Sequence, residues 1–202
     1  NVIFPGAVIS AVPQDLKFQG EDTTAEVGDN NKIRENVTIN RGTAAKGKTC
    51  VGSGNLLMES VHVAHDAFVG NDCIIGNGTK LAGEIIIDDH AIISANVLMH
   101  QFCRVGGYTM VGGGTRFSQD IPPYTICARE PVAYCGLNLV GLRRRGFSNE
   151  LIENIHNAYR IIYQGGVPLN EALLKVREEV PASPEINYII EFIENSKRGF
   201  VH

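Results

Sequence analysis

Apolar residues return at every sixth position through most of this chain. Stepping by six from Val27 meets Ile33, Ile39, Ala45, Val51, Leu57, Val63, Val69, Ile75, Leu81, Ile87, Ile93, Met99, Val105, Val111 and Phe117. With 44% of residues apolar, an unbroken series of that length has a chance of roughly a few in a million. A second slot, four residues on, holds mostly small or β-branched side chains: Val37, Thr43, Thr49, Val61, Ala67, Cys73, Thr79, Ala91, Val97, Cys103, Thr109 and Thr115. Asn55 and Ile85 strain that second rule.

A six-residue period excludes an α-helix, whose turn of 3.6 would walk such positions around the axis, and a flat strand, which alternates by two. Short strands joined by tight corners satisfy it. Three six-residue faces make one coil, and coils stacked as parallel strands about 4.8 Å apart enclose an aliphatic core. The fold class expected is an all-β left-handed parallel β-helix, a triangular prism of hexapeptide repeats over residues 1–137. A small C-terminal α-helical domain is expected over residues 138–202.

The beat also passes through Ile3 and Ile9 and breaks over the polar residues 13–22, which read as a loop ejected from the prism. Residue 1 falls inside a coil with no cap and no starting Met, so earlier coils are expected to precede it. Beyond Phe117 the beat ends at Ile121-Pro122-Pro123. Ser148 is placed to cap a helix whose apolar stripe runs Leu151, Ile152, Ile155, Tyr159 and Ile162 and stops at Gly165-Gly166. A second helix is expected over residues 169–180. A third should start at Ser183-Pro184, a favourable N-cap and N1 pair, with Ile186, Ile189, Ile190 and Ile193 facing inward.

Composition narrows the function. No run approaches the ~18 apolar residues of a membrane span. The opening Asn1-Val2-Ile3-Phe4-Pro5 lacks the basic start and cleavage site of a signal peptide, so the chain reads as cytoplasmic. A net charge of -4 argues against a general nucleic-acid binder. Five cysteines without a CxxC pair suggest neither a disulfide framework nor a zinc ribbon. Cys73 and Cys103 occupy the small-residue slot and read as core.

Three faces of six residues bring His65, Gly83 and Gln101 above one another, each two residues past its beat position, with Glu84 and His100 beside them. The segment His62-Val63-Ala64-His65-Asp66 is the most suggestive. A histidine can take a proton near neutral pH, and an adjacent carboxylate can fix its tautomer. Zinc competes, because His62, His65, His90 and His100 offer imidazoles, although His90 should lie at a different corner depth. Arg143-Arg144-Arg145 suits a diphosphate or an acidic protein surface, or is simply solvated. Gly112-Gly113-Gly114 lacks the helix start and Lys-Ser/Thr of a phosphate loop.

These stretches join several others: Gln14-Asp15-Leu16-Lys17, Asn55-Leu56-Leu57-Met58, Leu81-Ala82-Gly83, His100-Gln101-Phe102-Cys103, Asp120-Ile121-Pro122-Pro123-Tyr124 and Gly141-Leu142-Arg143-Arg144-Arg145-Gly146-Phe147-Ser148. Together, from Asn1 to His202, they resemble the acyl-[acyl-carrier-protein]:UDP-N-acetylglucosamine O-acyltransferase family that begins lipid A synthesis. The resemblance implies a homotrimer with active sites between neighbouring prisms, no cofactor and no metal. It implies two substrates, a (3R)-3-hydroxyacyl chain on acyl carrier protein and UDP-N-acetylglucosamine, acylated at its 3-hydroxyl. By the same resemblance His65 is the general base, Asp66 supports it and the Gly83 N–H is the oxyanion donor. Gln14, Asp15 and Gln101 would contact the sugar, while His62 and His100 line the cleft. Asn138 and Arg144 or Arg145 would meet the nucleotide or carrier protein, and Lys17 another anionic group. Gly113 matches the position that measures acyl length, its missing side chain allowing a long chain. Family members begin several coils earlier.

Asn40 and Glu84 stand where many relatives have histidine, and Val140 where a polar acid is common, which leaves the acceptor open between a 3-hydroxyl and a 3-amino sugar. Rival functions are an N-acyltransferase working at the sugar's 2-amino group and a coenzyme A-dependent acetyltransferase on the same prism. A zinc carbonic anhydrase and a trimeric scaffold that binds carrier protein are the others. A thioester is already activated, so the chemistry asks only for removal of the attacking hydroxyl's proton and stabilisation of the tetrahedral oxyanion.

Overall fold

The computed structural model describes residues 1–202. The chain winds as a left-handed parallel β-helix with three faces, followed by helices. The first face stacks Val2–Ile3, Lys32–Ile33, Leu56–Leu57, Ile74–Ile75, Ile92–Ile93 and Met110–Val111; the second stacks Val8–Ala11, Thr38–Asn40, His62–Val63, Lys80–Leu81, Leu98–Met99 and Arg116–Phe117. The third holds Thr24–Val27, Lys48–Val51, Phe68–Val69, Ile86–Ile87 and Arg104–Val105. The beat residues point inward, so Ile33, Ile39, Leu57, Val63, Ile75, Leu81 and Ile87 are fully buried, whereas at the open first coil Ile9 and Val27 are half-buried and Ile3 is exposed. Each such side chain contributes about 1.5–3 kcal/mol by leaving water. Neighbouring rungs supply both the core surface and the hydrogen-bond partners.

Rungs repeat every 18 residues only in the middle of the prism, as in the pairing of Ile75 with Ile93. Val27 pairs with Val51 and Ile9 with Ile39, separations of 24 and 30. Two excursions, at 12–23 and 41–47, leave the prism, and each adds a whole number of hexads, so the beat crosses them in phase. Ala45 is therefore not a core residue: it lies exposed in the second excursion, and Thr43 leaves the corner slot with it.

Asn55 breaks the small-residue rule because the corner between the third and first faces satisfies an amide. Its Nδ2 donates to the Gly70 carbonyl at 2.9 Å and its Oδ1 accepts from Cys73 N at 2.8 Å. Asn31 repeats the arrangement one rung below, accepting from Asn55 N. Each buried amide thus has partners on adjacent rungs, which removes the cost of desolvating it.

Beyond Phe117 a further strand, Thr125–Ala128, joins the first face in parallel, and Ala133–Leu137 folds back on it antiparallel. The hexad reading does not foresee this hairpin. Four helices follow: α1 Leu139–Arg144, α2 Asn149–Gln164, α3 Leu169–Glu179 and α4 Pro184–Glu194. Ser148 and Ser183 cap α2 and α4 as expected, accepting from Leu151 N and Ile186 N. Helix α1 was not expected. Ile152, Ile155 and Tyr159 of α2 pack with Val176 of α3 and Ile186, Ile189, Ile190 and Ile193 of α4 in a second apolar cluster, while Leu151 and Ile162 lie at its margin. The chain end then returns to the prism: Asp120 N donates to Gly199 O at 2.8 Å, and Val201 enters the prism core. No helix is long and apolar enough to cross a membrane.

Candidate active site

His65 sits at the edge between the second and third faces, two residues past the strand His62–Val63. The pairing of Val63 with Leu81 and of Leu81 with Met99 stacks His65, Gly83 and Gln101 on successive rungs of that edge. Glu84 N donates to His65 O at 3.0 Å, and Phe102 N to Gly83 O at 3.2 Å. A Cβ on Gly83 would lie 2.6 Å from both Cε1 and Nε2 of His65, so the imidazole rests directly on the glycine. Gly83 is buried, and its N–H has no hydrogen-bond partner within the chain. An unpaired donor in such a place costs free energy unless something else accepts from it.

His65 Nδ1 faces Asp66 Oδ2 at 2.8 Å. Asp66 occupies the left-handed region at φ 60° and is 1% exposed. Burial pushes its carboxyl up, but the Thr43 hydroxyl and N–H together with the His65 ring outweigh burial and hold it below the usual carboxylate range. With Asp66 ionised, Nδ1 is the ring nitrogen placed to donate to Oδ2, which leaves Nε2 facing the cleft.

The excursion at 12–23 folds over this edge. Gln14, Asn40, His62 and His65 line an open cleft of about 350 Å³. Asp15 Oδ2 lies 4.0 Å from His65 Nε2, and the backbone N–H of exposed Lys17 donates to Asp15 Oδ1 at 2.9 Å. His62 Nδ1 meets the Thr38 hydroxyl at 2.7 Å, while burial and then Lys80 and His65 hold its imidazole below the ordinary histidine value. Leu98 and Met99 are shared with a groove of about 510 Å³ further up the second face, bordered by His100, Arg116, Phe117, Glu130 and Val132.

The remaining candidates lie elsewhere in the chain. Gly113 follows a first-face strand and is exposed at another edge. Asn138 is 5% exposed and caps α1, its Oδ1 accepting from Gly141 N and its Nδ2 donating to Tyr108 O. Arg144 is exposed in the last turn of α1; Arg145 follows it and donates from Nη1 to His90 Nδ1 at 2.7 Å. His90 thus stands at the edge between the third and first faces, away from His62 and His65, and no three His, Cys, Asp or Glu side chains are grouped to hold a metal. Glu84 does enter the His65 corner, where its Oε2 lies 3.7 Å from Lys46 Nζ. Sequence reasoning missed Thr43 and Lys46 as neighbours of the site.

A family model described as UDP N-acetylglucosamine O-acyltransferase, domain 2, matches residues 120–201. Among solved structures, LpxA of Bacteroides fragilis, a UDP-N-acetylglucosamine acyltransferase, is 74% identical; the match covers 99% of this chain and 78% of that one, with a TM-score of 0.97. The chain belongs to the UDP-N-acetylglucosamine acyltransferase family. The Moraxella catarrhalis UDP-N-acetylglucosamine O-acyltransferase is 42% identical over 100% of this chain and 79% of its own, with a TM-score of 0.96. The Arabidopsis UDP-N-acetylglucosamine acyltransferase is 34% identical over 100% and 74%, with a TM-score of 0.94. The chain is accordingly an acyltransferase, which sets aside the zinc carbonic anhydrase and the non-catalytic scaffold among the rival functions.

Proposed function

We propose that this acyltransferase moves a (3R)-3-hydroxyacyl chain from acyl carrier protein to the 3-hydroxyl of UDP-N-acetylglucosamine, in the cytoplasm, as the first step of lipid A biosynthesis. The observation that carries the reading is the buried, unpartnered N–H of Gly83 against an imidazole whose other nitrogen faces a buried carboxylate. His65 Nε2 takes the proton of the attacking hydroxyl as its oxygen bonds to the thioester carbonyl carbon. The Gly83 N–H stabilises the oxyanion that forms. Collapse breaks the C–S bond, and the proton returns from Nε2 to the departing thiolate.

Gln14, Asp15, Lys17, His62 and Gln101 orient the UDP-sugar around the cleft. The apolar part of the groove beside His100 receives the acyl chain, where each buried CH₂ contributes about 0.8 kcal/mol. Gly113, Asn138, Arg144 and Arg145 sit on other edges, so they join this site only from a neighbouring subunit. A homotrimer with sites between prisms meets that requirement, with Gly113 leaving room for a long chain and the arginines holding nucleotide or carrier.

Mass spectrometry of UDP-N-acetylglucosamine incubated with hydroxyacyl carrier proteins of graded length tests the reading. An ester at O3, located by NMR, and no transfer from coenzyme A thioesters are expected. Acylation at nitrogen, or equal use of coenzyme A, overturns it.

A further inference from the structure

The excursion at 41–47 reaches the His65–Asp66 pair from outside the prism. Thr43 grips Asp66 twice: its N–H donates to Oδ1 at 2.9 Å and its hydroxyl donates to Oδ2 at 2.6 Å. Oδ2 is the same oxygen that faces His65 Nδ1. On the other side, the N–H of Asp66 donates to Thr49 Oγ1 at 2.8 Å. Both the left-handed backbone and the carboxylate plane of Asp66 are therefore tied down, and Thr43 is itself 8% exposed.

Lys46 closes the excursion over the same corner, with Nζ 3.5 Å from Asp66 O and 3.7 Å from Glu84 Oε2. Asp15 on the first excursion and His62 on the adjacent strand complete the charged and titratable groups around His65 and Asp66. None of these takes the place of Thr43, because none bonds either carboxylate oxygen of Asp66.

We infer that Thr43 is a positioning residue for acyl transfer: it holds Asp66 Oδ2 on His65 Nδ1 and so keeps Nε2 free of a proton and open to the cleft. The role rests on the base function proposed for His65, but the grip on Asp66 is separately readable. Carboxylates that orient a histidine ring fix its tautomer, and loss of one donor to such a charged group is expected to lower the rate roughly tenfold or more.

The test combines steady-state kinetics with 15N NMR of histidine-labelled full chain, which reports ring tautomers. Thr43→Val keeps the shape and the backbone N–H while removing the hydroxyl. It should lower kcat roughly tenfold or more with KM for UDP-N-acetylglucosamine unchanged, and reduce the Nδ1–H tautomer of His65. Thr43→Ser should restore both. A Thr43→Val enzyme with native kcat and native tautomer overturns the inference, as does a Thr43→Ser enzyme as impaired as Thr43→Val. A displaced tautomer with native kcat upholds the grip on Asp66 and refutes the base role of His65, so the two failures read differently.

Discussion

His65 Nδ1 stands 2.8 Å from Asp66 Oδ2, while Nε2 of the same ring lies against Gly83 and makes no hydrogen bond. One nitrogen is committed to a fixed carboxylate and the other faces the cleft without a partner. If His65 is the base proposed above, this arrangement needs little rearrangement at the moment of attack, and general-base catalysis is typically worth 10²–10⁴-fold.

Gly83→Ala isolates the contact between the ring and the proposed oxyanion donor. The new Cβ would lie 2.6 Å from Cε1 and Nε2 of His65, so the imidazole must move. Gly83 is not among the positive-φ glycines, and the backbone accepts alanine without strain. Circular dichroism should be unchanged while kcat/KM falls by about 100-fold or more. Native turnover in Gly83→Ala would show that the ring and the Gly83 N–H do not share a reaction centre.

Stability should depend on pH through His90. Its Nδ1 accepts from Arg145, which requires a neutral ring. Burial, then Arg145, hold the His90 imidazole below its ordinary value, against the weaker pull of Asp72 and Asp89. Below about pH 6.5 the unfolded chain binds the proton more readily than the folded one, so this contribution is complete above that pH and is lost as pH falls toward the folded value. Thermal unfolding temperature should therefore drop between about pH 7.5 and pH 5.5. His90→Asn should flatten that slope, and a slope identical to the native chain's would count against the pairing.

The stack of His65, Gly83 and Gln101 is readable from spacing because no excursion interrupts the prism between Val51 and Phe117. Ala45 and Thr43 were misplaced for the opposite reason: an insertion that preserves the hexad phase is invisible to a periodicity count. Thr43 then reaches Asp66 across 23 residues, a contact no local motif announces. Helix α1 was hidden by its length, since Leu139–Arg144 is too short to establish a 3.6-residue stripe. The hairpin of Thr125–Ala128 and Ala133–Leu137 lies where the beat has already stopped. Asn31 and Asn55 look like errors in the pattern until the rungs above and below supply their partners.

The most direct test is the turnover of UDP-N-acetylglucosamine by His65→Ala, with a hydroxyacyl carrier protein as donor and the oligomeric state followed in parallel. The expected result is a loss of at least about 100-fold in acyl transfer with the assembly intact. Ordinary turnover by an intact His65→Ala assembly would contradict the base assignment.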